Sequence, residues 1–228
     1  LHDNKVTFTN SDLSATSALD RLVTVYWADT PDIWAARAWM ELPADADAIT
    51  TRQAENCFEI NYASFGGQPI QIKLTGVLDI NANEVCWSLS VNNKTKGTLV
   101  GVAGPILREI TDLPDGILYY PNRPGQILRD PWKVLQERTT SIAYPVPASM
   151  QYMVYTAQHT GLALHVLDQD MVYKFLAFGG PEREMRFLQF PFLAPDQSWE
   201  SPRVIWQALS GDWHKAADRY KNWFNSWA

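Results

Sequence analysis

The groups in this 228-residue chain that could carry acid–base, nucleophilic or metal chemistry are four histidines, two cysteines and 25 acidic side chains. Their spacing assigns none of them a reaction. There is no Gly-x-Ser-x-Gly; the nearest glycine-flanked serine, Ser210 in LSGDW, opens a helix. Cys57 and Cys86 sit in the apolar, strand-like runs CFEINY and EVCWSLSV, whereas a nucleophilic thiol needs an electropositive setting. They read as free thiols, or as a disulfide if their strands are neighbours, and Cys-x-x-Cys is absent. His159 and His165 bracket HTGLALH without a carboxylate at zincin spacing, and Asp168 and Asp170 in HVLDQD read as turn carboxylates short of a Ca²⁺ ligand set. GGQP and GGPE read as hairpin turns, and neither opens a helix as a phosphate loop must. A glycosidase pair needs two carboxyls roughly 5 to 10 Å apart, a distance that spacing along the chain does not supply. No catalytic residue, metal ligand or cofactor is assigned.

Aromatic residues are the outlier: 10 Trp, 9 Tyr and 9 Phe. Such rings fill the cores of sheets, and they also stack on the apolar faces of sugars. Two clusters stand out. DGILYYPNRPGQILRDPW, residues 115–132, reads as a long, Pro-rich structured loop carrying Asp115, Tyr119, Tyr120, Arg123, Asp130 and Trp132. These six are the candidate sugar contacts; the alternative is a surface loop pinned down by its own aromatics. In GDWHKAADRYKNWFNSWA, residues 211–228, Trp213, Ala216, Ala217, Tyr220, Trp223, Phe224 and Trp227 recur at helical steps and define one apolar face. Gly211 and Asp212 precede it, with Asp212 placed as N-cap. That face must pack against something.

The elements around these clusters read mainly as strands. NKVTFT, RLVTVYWA, CFEINYASF, PIQIKLTGVLDI, EVCWSLSVNN and GTLVGVAG are β-rich runs separated by turn signals. In EVCWSLSV, Val85, Trp87, Leu89 and Val91 share one face, which predicts a half-buried antiparallel strand. SMQYMVYTAQ, HTGLALHVLD, MVYKFLAFGG, EMRFLQFPFL and RVIWQALS continue the pattern. Residues 10–20 read as a loop or a short helix start. TPDIWAARAWMELP reads as a loop into a strand, and PILREITDLPDG as holding one helical turn. The expected architecture is mainly β, a large antiparallel sandwich of about a dozen strands with a C-terminal amphipathic helix.

The net charge of −6 and a pI of about 5.2 come with lysines and arginines scattered singly, so the basic stripe of a nucleic-acid binder is missing. No apolar run approaches the roughly 20 residues of a membrane-spanning helix. Asn93-Lys94-Thr95 is a sequon, relevant only in a glycosylating host. The first residue is Leu1, so the start reads as processed or trimmed; the compartment stays open, with a secreted or periplasmic one favoured.

Taken in order, LTGVLDINANEVCWSLSVNNKTKGTLVGVAGPIL, LPDGILYYPNRPG, AYPVPASMQYMVYTAQHTGLALHVLDQD and SGDWHKAADRYKNWFNSW resemble a known domain. Over residues 70–228 the chain is similar to the N-terminal β-supersandwich, galactose-mutarotase-like domain that precedes the (β/α)₈ barrel in multidomain glycoside hydrolases. The relatives concerned are of the α-galactosidase and endo-α-N-acetylgalactosaminidase type. The resemblance implies a sandwich over 1–210 and a connector helix over 211–228 leading into a barrel. Trp213, Tyr220, Trp223 and Trp227 would then pack between the two domains. The family's catalytic carboxylates lie on barrel strands, so no residue here inherits that role. The implied partners are carbohydrate and a catalytic barrel of the same polypeptide, and the implied function is that of a non-catalytic accessory domain. Three other readings stay open: a free-standing carbohydrate-binding module, a mutarotase-like enzyme using His165 with Asp168 or Glu184, and a purely structural or adhesive β domain. His165 points opposite to Leu164 and Val166, which also fits a polar sheet face.

Overall fold

The structure, a computed structural model, describes residues 3–32 and 39–228. Eighteen strands and three α-helices occur among them, in three antiparallel sheets. The chain opens with a hairpin of β1 (Lys5–Asn10) and β2 (Leu13–Ala18), followed by a single helical turn, α1 (Leu19–Leu22). The segment 10–20 is thus largely strand. Its LSATSA run alternates small residues, with Leu13, Ala15 and Ser17 turned inward. Next come β3 (Thr24–Ala28), β4 (Met40–Pro43), β5 (Ile49–Ala54), β6 (Cys57–Tyr62), β7 (Ile70–Asp79), β8 (Glu84–Asn93) and β9 (Thr98–Ala103). The loop-to-strand expectation for residues 30–43 ends in β4, while 33–38 lie outside the described residues.

PILREITDLPDG holds no helical turn; it crosses between the sheets as irregular chain. The supposed long loop after it is a hairpin, β10 (Ile117–Tyr120) and β11 (Gln126–Arg129), closed by PNRPG and followed by α2 (Pro131–Val134). Leu118 is fully buried and Leu128 partly so, which supplies the inward apolar face that a strand pair needs. The remaining strands are β12 (Thr139–Tyr144), β13 (Tyr152–Ala157), β14 (Thr160–Leu167), β15 (Lys174–Gly179), β16 (Glu184–Gln189), β17 (Ser198–Glu200) and β18 (Arg203–Ser210), before α3 (His214–Asn225).

The large sheet runs β11-β10-β13-β14-β18-β8-β7-β6-β5, with β17 also paired to β8, and the second runs β12-β15-β16-β9-β3-β4. Inward side chains of both sheets merge in one core, with Trp87 and Trp206 edge to face at 4.8 Å in the large sheet. The β1–β2 hairpin is fastened by Asn10, whose Nδ2 donates to the Gly161 and Leu209 carbonyls at 2.8 and 2.7 Å. The alternation expected for β8 is present: Val85, Trp87, Leu89 and Val91 are buried. Cys57 and Cys86 are free. Val77 pairs with both, so the two cysteines lie two strands apart, about 10 Å, beyond the reach of a disulfide.

Candidate functional site

Helix α3 lies on the outer face of the large sheet, over β13, β14 and β18. The helix begins one residue later than the sequence indicates: Trp213 is its N-cap, its carbonyl accepting the Ala216 and Ala217 N–H groups at 3.1 Å, and the Asp212 carboxylate, one position outside, accepts the His214 backbone N–H at 3.0 Å. Ala216 and Tyr220 are buried against Tyr152, Val154, Ala163 and Leu209, and Trp213, Ala217 and Trp223 are partly covered. On its flank Arg219 grips Glu84 through two hydrogen bonds, at 2.8 and 3.2 Å. The helix therefore has a covered edge and an open one. Trp223 and Trp227 are half-buried, and Phe224 is 37% exposed.

Beside the start of α3 a cleft of about 360 Å³ opens against the β10–β11 hairpin. Tyr119, Tyr120, Gln126, Met150, Tyr152 and Trp213 form most of its wall, and among the described residues no charged side chain lines it. Tyr119 and Trp213 stack across it at 5.7 Å. The Tyr120 hydroxyl donates to Gln126 Oε1 at 2.9 Å, as does Asn122 Nδ2. On the other side of Met150 a second, shallower groove of about 480 Å³ runs along α3, lined by Tyr144, Met171, Tyr220 and Phe224 among others. Such walls can receive an apolar side chain or the face of a sugar ring; they hold no acid–base pair.

The six candidate sugar contacts do not converge. Tyr119 and Tyr120 reach the cleft. Arg123 is exposed at the hairpin tip, while Asp115 and Asp130 are exposed at its base, about 13 Å away along the strands. Trp132 is a correction: it is 3% exposed, tilted onto Tyr155 at 5.0 Å inside the core, and cannot touch a ligand. From the helix set, Trp213 joins the cleft and Tyr220 faces the sheet, so the two clusters share one surface. Met150 and Tyr152 were missed. The signal was present in MQYMVYTA, apolar on both faces, which marks a strand covered on both sides.

The groups offered for proton transfer at an anomeric centre are also apart. His165 is fully buried beneath α3, with Nε2 3.0 Å from Gln207 Oε1 and the ring stacked on Tyr152; burial pushes its pKa down to about 4. Asp168 is held by Lys174 at 2.7 Å, and Glu184 by Arg108 at 2.8 Å and Arg186 at 3.2 Å. Asn93 of the sequon is buried, its Nδ2 donating to the Gly97 and Leu193 carbonyls at 2.8 and 2.9 Å, so in the folded chain it is a turn anchor closed to glycosylation. Among the described residues, no helix is long and apolar enough to cross a membrane.

No family model matches the chain, and neither does any curated protein. Solved structures do match. An α-N-acetylgalactosaminidase from Bifidobacterium bifidum superposes over 97% of this chain with a TM-score of 0.65 at 10% identity. An α-galactosidase of glycoside hydrolase family 36 from Geobacillus stearothermophilus covers 90% with a TM-score of 0.55 at 12% identity. The galactosidase domain of an α-galactosidase–sucrose kinase covers 78%, at 0.51 and 12%. The fold is shared with these enzymes. The chain spans 39%, 32% and 26% of their respective lengths.

Proposed function

We propose that this chain is a non-catalytic accessory domain of a multidomain glycoside hydrolase, with a sandwich over 1–210 and a connector helix over 211–228 that packs against a catalytic barrel of the same polypeptide. The observation that carries this reading is the division of α3: Ala216 and Tyr220 are covered by the sheet, while Trp213, Trp223, Phe224 and Trp227 leave an apolar edge open. An apolar patch of this kind marks a surface made to be covered. The neighbours support it, since each is a glycoside-cleaving enzyme of which a chain this size is a minor part. In this reading Trp213, Trp223 and Trp227 form the joint, while Tyr220, expected there from the sequence, is instead covered by the sandwich's own sheet; the Tyr119–Trp213 cleft stands at the rim of the joint, where it can lend an aromatic wall to a bound sugar.

The test compares the 228-residue chain with the polypeptide that includes the coding sequence flanking it. p-Nitrophenyl α-galactoside and its N-acetylgalactosaminide analogue are the substrates, and acrylamide quenching reports tryptophan exposure. Turnover by the longer polypeptide alone, together with reduced quenching, is expected. Turnover by the short chain, or unchanged quenching, overturns the reading.

The stacked Tyr119–Trp213 pair also favours a second reading, a carbohydrate-binding module acting alone. It requires saturable changes in Trp213 fluorescence when the short chain is titrated with oligosaccharides; a flat response across a glycan panel removes it.

A further inference from the structure

Where the chain crosses from the large sheet to the second one, between β14 and β15, three polar side chains are sealed from solvent: Gln151, Asp168 and Lys174. The Lys174 ammonium donates to Asp168 Oδ2 at 2.7 Å, Gln151 Oε1 at 2.8 Å and the Val172 carbonyl at 2.6 Å, which uses all three of its protons. It also sits over the Tyr144 ring, 4.6 Å from the centroid. Asp168 accepts the Asp170 and Val172 backbone N–H groups at 3.0 and 2.9 Å, and Gln151 Nε2 donates to the Asp168 carbonyl at 2.9 Å. A buried charge is tolerated only with partners this complete. Its effect is to fix the connection 168–173.

What that connection displays is the unusual part. Met171, Val172 and Tyr173 are 41%, 43% and 47% exposed. A short crossing between sheets has no structural need for three consecutive apolar side chains in water. On one side Met171 lines the groove shared with Tyr220 and Phe224 of α3. On the other, Tyr173 meets Phe175 and Phe190 at 5.4 and 5.6 Å, and half-exposed Phe192 stacks on Phe190 at 5.9 Å. The open edge of α3 thus continues through 171–173 onto the second sheet.

We propose that loop 168–173 is the second half of the docking surface begun by α3, and that its occupant is the second folded domain of the same polypeptide. This rests on the accessory-domain reading. The lining of the groove favours a protein over a sugar, because among the described residues that line it Ser149 and Lys221 alone carry polar side chains besides the two tyrosines. The structural neighbours supply the kind of occupant, since more than half of each lies outside the part this chain matches. A loop rigidified in advance docks without the cost of ordering it.

Hydroxyl-radical footprinting tests this, because methionine and tyrosine side chains react readily. The 228-residue chain is compared with the full polypeptide, with exposed Leu78 and Ile80 as internal controls. Modification of Met171 and Tyr173 is expected to fall about tenfold in the full polypeptide, as for side chains moved into an interface core, alongside Trp223 and Phe224. Protection of Trp223 and Phe224 without Met171 and Tyr173 sinks this inference and leaves the accessory reading standing. Protection of neither sinks both. Protection already present in the short chain and growing with its concentration means that a second copy is the occupant, which also overturns it. Met171→Ser with Tyr173→Ser, two surface changes that leave the buried network intact, is expected to speed proteolytic cleavage between the domains severalfold; unchanged cleavage counts against the proposal.

Discussion

Tyr119 of β10 and Trp213 at the start of α3 stack with ring centroids 5.7 Å apart and 28° between their planes. This contact ties the hairpin to the helix across an otherwise open cleft. Stacked pairs add about 1 kcal/mol beyond the area they bury. Tyr119→Ala and Trp213→Ala are each expected to lower stability by about 1 to 2 kcal/mol, and the double variant to fall short of their sum by about 1 kcal/mol. Urea unfolding of the four proteins in the cycle measures the shortfall; strict additivity would mean that the rings do not support one another.

The two edges of α3 should answer differently to truncation. Tyr220 is buried against Tyr152, ring to ring at 5.3 Å, whereas the ring contacts of Trp227 among the described residues are with Trp223 and Phe224 of its own helix. Tyr220→Ala is expected to cost about 3 kcal/mol and Trp227→Ala less than about 1 kcal/mol in the 228-residue chain. Thermal and urea unfolding of both variants gives the comparison. Equal costs would show that Trp227 packs on the sandwich as firmly as Tyr220, and the open edge would lose its meaning.

The strands that were legible are those whose burial alternates or is complete, such as β7, β8, β13 and β14, because side-chain periodicity is a direct record of which face is covered. The helix was legible for the same reason, though its N-cap is Trp213 and not Asp212. The hairpin β10–β11 was hidden because five turn-forming residues, PNRPG, dominate two four-residue strands. β5 and β12 were hidden by largely polar or exposed residues, ITTRQA and TTSIAY. The site was legible as a set of residue types and not as a geometry. Trp132 and Tyr119 look alike in sequence, and only the packing of α2 turns one into the core while the hairpin register turns the other outward. The orientation of His165 was legible and its cover was not, because the helix that buries it comes much later in the chain.

Lys174 is fully buried, and its ammonium is paired with the buried Asp168 carboxylate. Burial alone pulls its pKa down, and the hydrogen bond and charge of Asp168 pull it up. Lys174→Met leaves Asp168 sealed in with no cation, and loss of one partner from a buried pair costs roughly 3 to 5 kcal/mol. Lys174→Met with Asp168→Asn removes both charges and is expected to recover at least about 1 kcal/mol of that loss. Urea midpoints for the single and double variants decide it; a double variant no more stable than the single one would show that Asp168 is not stranded by the loss of Lys174.

Acid should weaken the seat of α3, and His165 is the reason. Its ring is fully buried between Tyr152 and Gln207, beneath a helix whose nearest charge, Arg219, is itself a cation paired to Glu84. Burial pushes the folded-state pKa down to about 4, while the unfolded chain keeps the ordinary value of about 6.5. A depressed pKa means that the native state resists the proton. Stability from this residue is fully present above pH 6.5, declines as the pH falls below it, and is gone once the pH passes below about 4. Between pH 7 and pH 5 the expected loss is about 2 kcal/mol at roughly 1.36 kcal/mol per unit of pKa difference. His165→Gln carries no titratable group and should flatten that segment of the stability curve while costing something at pH 7. Urea unfolding at pH 7, 6 and 5 for both proteins measures it. If the two curves stay parallel, His165 is not the titrating group.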